Sequence, residues 1–248
     1  MYYPDWPIGH PKQGTAIDCI CVPERKAKRE RDRCNKLLEA AQIPNHYAGS
    51  SLNTLDVSHP SVKTLKQIAL EYVIGWLCEL GHDVEEGYEQ FCDKKPTLWL
   101  AIFGLYGNGK TRVATAITRG FAGHGMAARY AYVPDLLDEL RKAQFESTYD
   151  DYGNKSGSRF YEVMEELKQV DVLVLDDLGV EKESPWADEQ LDKILDYRYR
   201  NASWTVLTTN MEITQLAPRI ADRIRDREVC TVVINDAPSY RPQNKRPG

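Results

Sequence analysis

Residues 98–111 read Leu98-Trp99-Leu100-Ala101-Ile102-Phe103-Gly104-Leu105-Tyr106-Gly107-Asn108-Gly109-Lys110-Thr111. An apolar run of strand length breaks here into a glycine-rich turn that ends in Gly-Lys-Thr. This is the G-x-x-x-x-G-K-[ST] pattern of a phosphate-binding loop, and it follows the strand that the motif requires. The alternative is a glycine turn that matches the pattern by chance, which the preceding strand disfavours.

The residue types of this loop suit the binding of phosphate groups. Glycines adopt backbone angles that a side chain would forbid, so their N–H groups can converge on phosphate oxygens. The N-terminal end of the following helix adds a positive potential. We expect Lys110 to reach the β- and γ-phosphates and the Thr111 hydroxyl to hold Mg²⁺. The predicted nucleotide-binding residues are Gly104, Gly107, Asn108, Gly109, Lys110, Thr111 and Arg112.

The bulk composition limits the classes of protein to consider. The 248 residues allow one domain with an appendage or two small domains, and a hydrophobic content of 42% provides a sizeable core. A net charge of -5 argues against coating DNA by bulk charge, so any nucleic-acid contact must be local. The six cysteines lack the dense spacing of a secreted disulfide scaffold, which favours a reduced, cytoplasmic compartment. Neither a signal peptide nor a membrane-spanning run is predicted.

The part of the chain before the loop is predicted to be mainly helical. Opposite charges at i,i+4 spacing indicate a helix over residues 24–41. This helix is either a solvated charged surface or a docking surface for a partner protein or a nucleic-acid backbone. Residues 42–60 are predicted to be a connector, and the apolar periodicity of residues 61–81 predicts a helix that packs on or beside a sheet. Residues 82–96 are predicted to be an acidic linker.

After the loop, strands alternate with helices, which is typical of a parallel α/β sheet. With the strand before the loop, the five predicted strands are completed by residues 128–133, 170–177, 204–210 and 230–234. Residues 146–158 are predicted to be a mobile loop because Ser, Gly, Asn and Asp cluster there. Residues 212–226 are predicted to be one helix.

Polar side chains follow two of these strands. Asp176 and Asp177 end the apolar run Val170–Leu175, and Asn210 follows the next strand. Ligand sites of parallel sheets lie at the carboxyl ends of the strands. We therefore expect Asp176 to bind Mg²⁺, Asp177 to polarise an attacking water, and Asn210 to orient that water or contact the γ-phosphate. The alternatives are an acidic turn after a core strand and an Asn that caps the next helix.

The order of these motifs resembles the AAA+ ATPases, and within them the DnaC/DnaI-type replicative helicase loaders. The resemblance covers roughly residues 19–241 and rests also on the segments 40–47, 176–186, 196–199, 219–224 and 239–241. It implies a P-loop three-layer α/β sandwich with a five-stranded parallel sheet, a short helical N-terminal region and no C-terminal lid domain. It further implies a helicase-interaction region and linker over residues 1–60 and an AAA+ ATPase domain over residues 61–248.

The resemblance assigns roles to matching positions. Asp176 corresponds to the Walker B metal-site aspartate and Asn210 to sensor 1. Asp177 stands where many relatives have the catalytic glutamate, although it is one methylene shorter. Arg223 corresponds to an arginine finger that acts on the ATP of a neighbouring subunit, whereas by pattern alone it is a surface salt-bridge residue. The predicted catalytic residues are Lys110, Asp177, Asn210 and Arg223, and the predicted metal ligands are Thr111 and Asp176.

Two departures from the family matter, one near each end of the sequence, and relatives of this type share the second, the missing helical lid. Loaders often begin with a zinc knuckle, but here only Cys19 and Cys21 match its second half. Cys34, His10 and His46 are the residues left to complete a zinc site. We expect free thiols in a degenerate knuckle rather than zinc. Because no helical lid is predicted after residue 241, a conventional sensor 2 arginine is not expected either.

Relatives also bind single-stranded DNA along the inner surface of their assembly. The positions that match here are Arg141, Lys142, Phe145, Ser184 and Trp186. Aromatic rings beside basic side chains suit base stacking combined with phosphate contact. The alternative is that Phe145 and Trp186 pack under loops.

These expectations together describe an ATP-dependent helicase loader of a bacterial or phage-infected cell. It would bind ATP and Mg²⁺, self-associate through its ATP interfaces, bind a hexameric DnaB-type helicase and single-stranded DNA, and hydrolyse ATP during the initiation of replication. The nearest alternative is an IstB-like transposition helper ATPase that acts on duplex DNA. A small-molecule kinase and a nucleotide-gated adaptor that does not hydrolyse ATP are the other classes considered.

Overall fold

The computed structural model describes residues 22–84, 86–93, 95–149, 155–179 and 184–240. The helices are α1 (Val22–Ala40), α2 (Pro60–Glu79), α3 (Lys110–Gly123), α4 (Val133–Ala143), α5 (Arg159–Gln169), α6 (Pro185–Arg200) and α7 (Pro218–Arg225). The strands are β1 (Trp99–Gly104), β2 (Ala128–Tyr132), β3 (Ser147–Tyr149), β4 (Lys155–Ser158), β5 (Val172–Leu178), β6 (Trp204–Thr209) and β7 (Cys230–Asn235). None of the helices in these ranges is long and apolar enough to span a bilayer.

Five parallel strands form the main sheet in the order β2-β5-β6-β1-β7. This confirms the predicted α/β class and the number of strands in its sheet. The register places Gly104 opposite Asn235, Phe103 opposite Thr209, and Tyr132 opposite Asp176. The carboxyl ends of all five strands therefore meet at one edge of the sheet.

Both faces of β1, β5 and β6 are buried, which explains why these strands read as apolar runs. On the edge strand β7, Val232 and Ile234 are exposed. On β1, Leu100 and Ile102 pack with α2 and α3, whereas Trp99 and Ala101 pack with the helices α4 to α7. The result is a sheet between two helical layers, as predicted. The helix predicted over residues 61–81 is α2, and it lies on the sheet as expected.

The connector between α1 and α2 packs into this core. The N–H of Tyr130 in β2 donates to the carbonyl oxygen of Ala41 at 2.9 Å, and Leu52 and Leu55 are buried beside α2. The segment therefore pairs with the edge strand β2 and packs against α2. A domain division at residue 60 stays a prediction.

A buried arginine, Arg198, binds α6 to the sheet. The guanidinium of Arg198 donates to the carbonyl oxygens of Val170 at 2.8 Å and Trp204 at 2.6 Å and to the Thr205 hydroxyl at 3.0 Å. Burial lowers the pKa of Arg198 to about 10. These bonds fix the starts of β5 and β6 relative to each other, and hence the register that their ends present to the site.

The structure corrects three local expectations. The segment 146–158, predicted to be a loop, contains the antiparallel pair β3 and β4, because backbone pairing does not need the apolar residues by which strands are recognised. The helix predicted over residues 212–226 begins only at Pro218, which lacks an N–H and holds Ala217 in an extended conformation. A disulfide joins Cys78 to Cys92, contrary to the reduced cysteines that their spacing favours.

Candidate nucleotide site

The phosphate loop places Lys110 beside the carboxyl ends of the neighbouring strands β1 and β6. Its ammonium group donates to the carbonyl oxygens of Gly104 at 2.8 Å and Leu105 at 2.7 Å. It also donates to the side-chain oxygen of Asn210 at 2.7 Å. Burial lowers the pKa of Lys110, and the nearby carboxylates of Asp177 and Asp176 oppose that effect. The ammonium group is thus held by neutral oxygens, next to the position that the motif predicts for the phosphates.

Asp176 is a buried carboxylate that accepts three hydroxyl hydrogen bonds. The donors are Thr111 at 2.9 Å, Tyr130 at 2.7 Å and Thr208 at 2.5 Å. Burial raises the pKa of Tyr130, and Asp176 raises it further. Thr111 and Asp176 lie together as predicted, and a hydroxyl beside a carboxylate is a donor set that Mg²⁺ accepts. These two residues are the ones that would hold the metal.

Asp177 occupies a strained position at the end of β5. Its φ is 64°, a conformation that non-glycine residues seldom adopt, and the pairing of β5 with β6 shifts register between Leu175 and Leu178. The backbone N–H of Asp177 donates to the Thr208 hydroxyl at 2.9 Å, and its carboxylate accepts from the side-chain amide of Asn210. Such outliers concentrate at functional sites.

Asn210 therefore joins Lys110 to Asp177 through one side chain. The alternative of a helix cap is wrong, because the turn that follows, Ile213–Gln215, is capped by the side chain of Glu212. The acidic-turn alternative for the aspartates fails as well, since Asp176 is only 2% exposed and faces the phosphate loop.

These groups line one cavity of about 850 Å³. Of the predicted nucleotide-binding residues, the cavity wall includes Gly107, Asn108, Gly109, Lys110, Thr111 and Arg112. Gly104, the first residue of the loop, packs against Asn235 and Asn108 instead. Other parts of the cavity wall were not predicted from the sequence, and they include Pro44, His46, Tyr47, Leu55, Tyr130, Thr208 and Tyr240. The linker resemblance at residues 40–47 was the signal that could have found the first three. Aromatic and apolar groups at this end suit the base of a nucleotide.

Arg223 lies outside that cavity. Its guanidinium donates to Asp192 at 2.6 Å and Asp196 at 2.7 Å, both on α6. Burial opposes the charge of Arg223, but these hydrogen bonds outweigh it and raise its pKa. With Arg219 and other charged residues, Arg223 lines a separate cavity of about 640 Å³. Within one chain it is a salt-bridge residue; a role on a neighbouring subunit stays a prediction.

The predicted DNA contacts fall into two groups. The guanidinium of Arg141 lies 5.2 Å from the ring centre of Trp186, which joins the ends of α4 and α6. Phe145 is 89% exposed, so the alternative that it packs under a loop is wrong. Lys142 is exposed, whereas the Ser184 hydroxyl caps α6 by accepting from the N–H of Ala187.

Most of the residues that could form the zinc site lie outside the described part of the chain. Cys19, Cys21 and His10 lie beyond the described residues. Cys34, on α1, is a free thiol. Within the described ranges, no group of three or more His, Cys, Asp or Glu side chains is arranged to hold a metal.

Comparison with known proteins identifies the family. The family model described as IstB-like ATP binding protein matches residues 90–247. The chain belongs to this family, the IstB/DnaC-type AAA+ proteins. Replicative helicase loader DnaI of Bacillus subtilis (strain 168) is 25% identical over 84% of this chain and 60% of its own length. Replicative helicase loader DnaC of Escherichia coli (strain K12) is 27% identical over 50% of this chain and 47% of its own length.

A crystal structure of DnaI shares the fold. It aligns with a TM-score of 0.58 and 25% identity, covering 82% of this chain and 99% of that chain. The AAA+ fold predicted from the order of motifs is thereby confirmed. The chain spans only about half to three fifths of the length of the two curated loaders named above. Their activities are therefore only proposed for this chain.

The Thr208 hydroxyl offers a test of the acidic end of the site. Replacing Thr208 by Val keeps the shape but removes the donor to Asp176 and the acceptor for the Asp177 N–H. We expect the free energy of unfolding in urea to fall by about 1–3 kcal/mol, because buried polar groups lose their partners.

Thr208→Ser, which keeps the hydroxyl, is the matched control and should recover most of that loss. The affinity for MgATP, measured by titration, should fall in the Val variant and recover in the Ser variant. Equal unfolding curves for Thr208→Val and the unsubstituted protein would contradict this account of the site.

Proposed function

We propose that this chain is an ATP-dependent loader that places a hexameric replicative helicase on single-stranded DNA. One observation carries the proposal: the phosphate loop, the buried Asp176 and the Asp177–Asn210 pair meet around one cavity in a member of the IstB/DnaC-type family. The similarity to DnaI and DnaC, both named replicative helicase loaders, supports the choice of a helicase as the partner.

The geometry supports hydrolysis of ATP by this chain. Lys110 and the backbone amides of the loop would bind the phosphates, and Thr111 with Asp176 would hold Mg²⁺. When bound, Mg²⁺ neutralises negative charge that develops on the phosphates. Asp177, turned into the cavity by its unusual backbone angle, would orient the attacking water together with Asn210. Aspartate reaches less far than glutamate, which makes slow turnover the expectation.

Arg223 completes the site of a neighbouring subunit in this proposal. It lies on a different surface from the cavity of its own chain, as a head-to-tail assembly requires. The pairing with Asp192 and Asp196 would be exchanged for the neighbour's γ-phosphate on assembly. Exposed Phe145 and the stacked pair of Arg141 and Trp186 would face the DNA strand.

The second candidate is an IstB-like helper ATPase that acts on duplex DNA. The match of residues 90–247 to the IstB-like family model favours it. The two candidates share the ATPase chemistry and differ in the DNA and in the protein partner.

A loading assay separates these candidates. The chain is mixed with the replicative helicase of its own host, circular single-stranded DNA and ATP, and salt-resistant helicase on the circle is measured. We expect loading that depends on ATP and is lost in Lys110→Ala, because that variant lacks the ammonium that holds the triphosphate. No loading, or binding only to duplex DNA without the helicase, would overturn the proposal in favour of the second candidate or of neither.

Arg223 can be tested by mixing two inactive variants. Arg223→Ala should bind ATP normally but lose turnover by a factor on the order of 10³, as for other arginine fingers. A 1:1 mixture with Lys110→Ala should regain up to about a quarter of the unsubstituted turnover, because sites with an intact Lys110 then meet neighbours with an intact Arg223.

Arg219→Ala is the control, since Arg219 lies on the same helix and also pairs with Asp192, at 3.0 Å. It should keep turnover close to that of the unsubstituted protein. A mixture no more active than its two components would exclude a role of Arg223 on a neighbouring subunit.

A further inference from the structure

The last residue of β7 and the segment that follows it contact the phosphate loop. We name residues 235–240 the C-terminal strap. The backbone N–H of Tyr240 donates to the carbonyl oxygen of Gly107 at 2.9 Å, and its hydroxyl donates to the carbonyl oxygen of Asp56 at 3.2 Å. The Tyr240 ring lies beside Gly109, where an added Cβ would be 3.7 Å from the ring. The strap therefore contacts the loop and, on its far side, the connector before α2.

The first residue of the strap forms a reciprocal pair with the loop. The side-chain amide of Asn108 donates to the carbonyl oxygen of Asn235 at 2.7 Å, and the side-chain amide of Asn235 donates to the carbonyl oxygen of Asn108 at 2.9 Å. The exposures of the two residues are 1% and 0%. Each buried amide is satisfied by the backbone of the other residue, so neither can turn away without leaving a buried polar group unpaired.

Gly104, the first residue of the loop, packs against the same pair of asparagines. A Cβ added to Gly104 would overlap both the carbonyl oxygen of Asn235 and the side-chain amide of Asn108. The beginning of the loop, its middle and the end of β7 are therefore packed without space between them. Asn235 does not line the nucleotide cavity, so any effect it has on a ligand must pass through the loop.

We propose that Asn235 is a positioning residue for the nucleotide site: through Asn108 it holds the phosphate loop in its binding conformation before the nucleotide arrives, with Tyr240 as a second tie. The inference rests on the proposed function in that the ligand is a nucleoside triphosphate. A loop ordered in advance does not have to be ordered on binding, which raises affinity. The effect should appear in binding of ATP and ADP alike, and not in the hydrolysis step, because Asn235 touches no reacting group.

The test is the variant Asn235→Asp. It keeps the oxygen that accepts from the N–H of Ala237 at 3.2 Å and replaces the donor to Asn108 by an oxygen. We expect the dissociation constants of MgATP and MgADP to rise together by about tenfold, the effect of one lost hydrogen bond. We expect KM for ATP to rise by a similar factor while kcat stays within about twofold.

Asn235→Ser serves as a neutral second variant, too short to reach Asn108, and should give the same pattern if the Asp variant does not fold. The matched control is Thr231→Val, also on β7, which removes the hydrogen bond between the Thr231 and Thr97 hydroxyls at the other end of the strand. It should lower stability without changing either dissociation constant.

The proposal is overturned if both folded Asn235 variants bind ATP and ADP as tightly as the unsubstituted protein, or if Thr231→Val weakens binding equally. A fall in kcat with unchanged dissociation constants also overturns it. If the unsubstituted protein does not bind ATP, the proposed function is wrong. If it binds ATP and loads the helicase, but the Asn235 variants bind nucleotide as tightly as it does, only this inference is wrong.

Discussion

The hydrogen bonding of Asp176 is the constraint on which the rest of the site depends. A buried carboxylate is costly unless donors compensate for the lost water. Here the donors come from three different elements: Thr111 from α3, Tyr130 from β2 and Thr208 from β6. All three elements must be correctly placed around β5 for the charge to be tolerated. The folded sheet therefore places a carboxylate, the proposed metal ligand, beside the phosphate loop as a condition of its own stability.

Lys110 is the positive counterpart of this carboxylate. Its contacts with two carbonyl oxygens and with Asn210 satisfy the partly buried ammonium group. A triphosphate would replace these neutral acceptors by charged ones, which form stronger hydrogen bonds. Asn210 also binds Asp177, the residue proposed to orient water. A change in the hydrogen bonds of Lys110 would therefore alter the position of Asp177 through Asn210. In the proposed reaction, this single amide would couple nucleotide binding to hydrolysis.

Features that follow from a local sequence pattern could be predicted, whereas features that depend on contacts between distant parts of the chain could not. The five strands, the phosphate loop and the placement of Asp176 and Asn210 could be predicted, because strand periodicity and the strand-end rule are local signals. The roles of Tyr130 and Thr208 could not, since both residues are ordinary strand formers whose partners lie far along the chain. The reciprocal pairing of Asn108 with Asn235 likewise has no local signature.

Amide hydrogen exchange with and without MgATP tests the central claim most directly, because it reports each part of the site separately. A triphosphate bound between the phosphate loop and the acidic end of β5 should protect residues 104–111 and residues 175–179 together. Lys110→Ala should abolish both effects. Protection of only one of these segments, or of neither, would contradict the account.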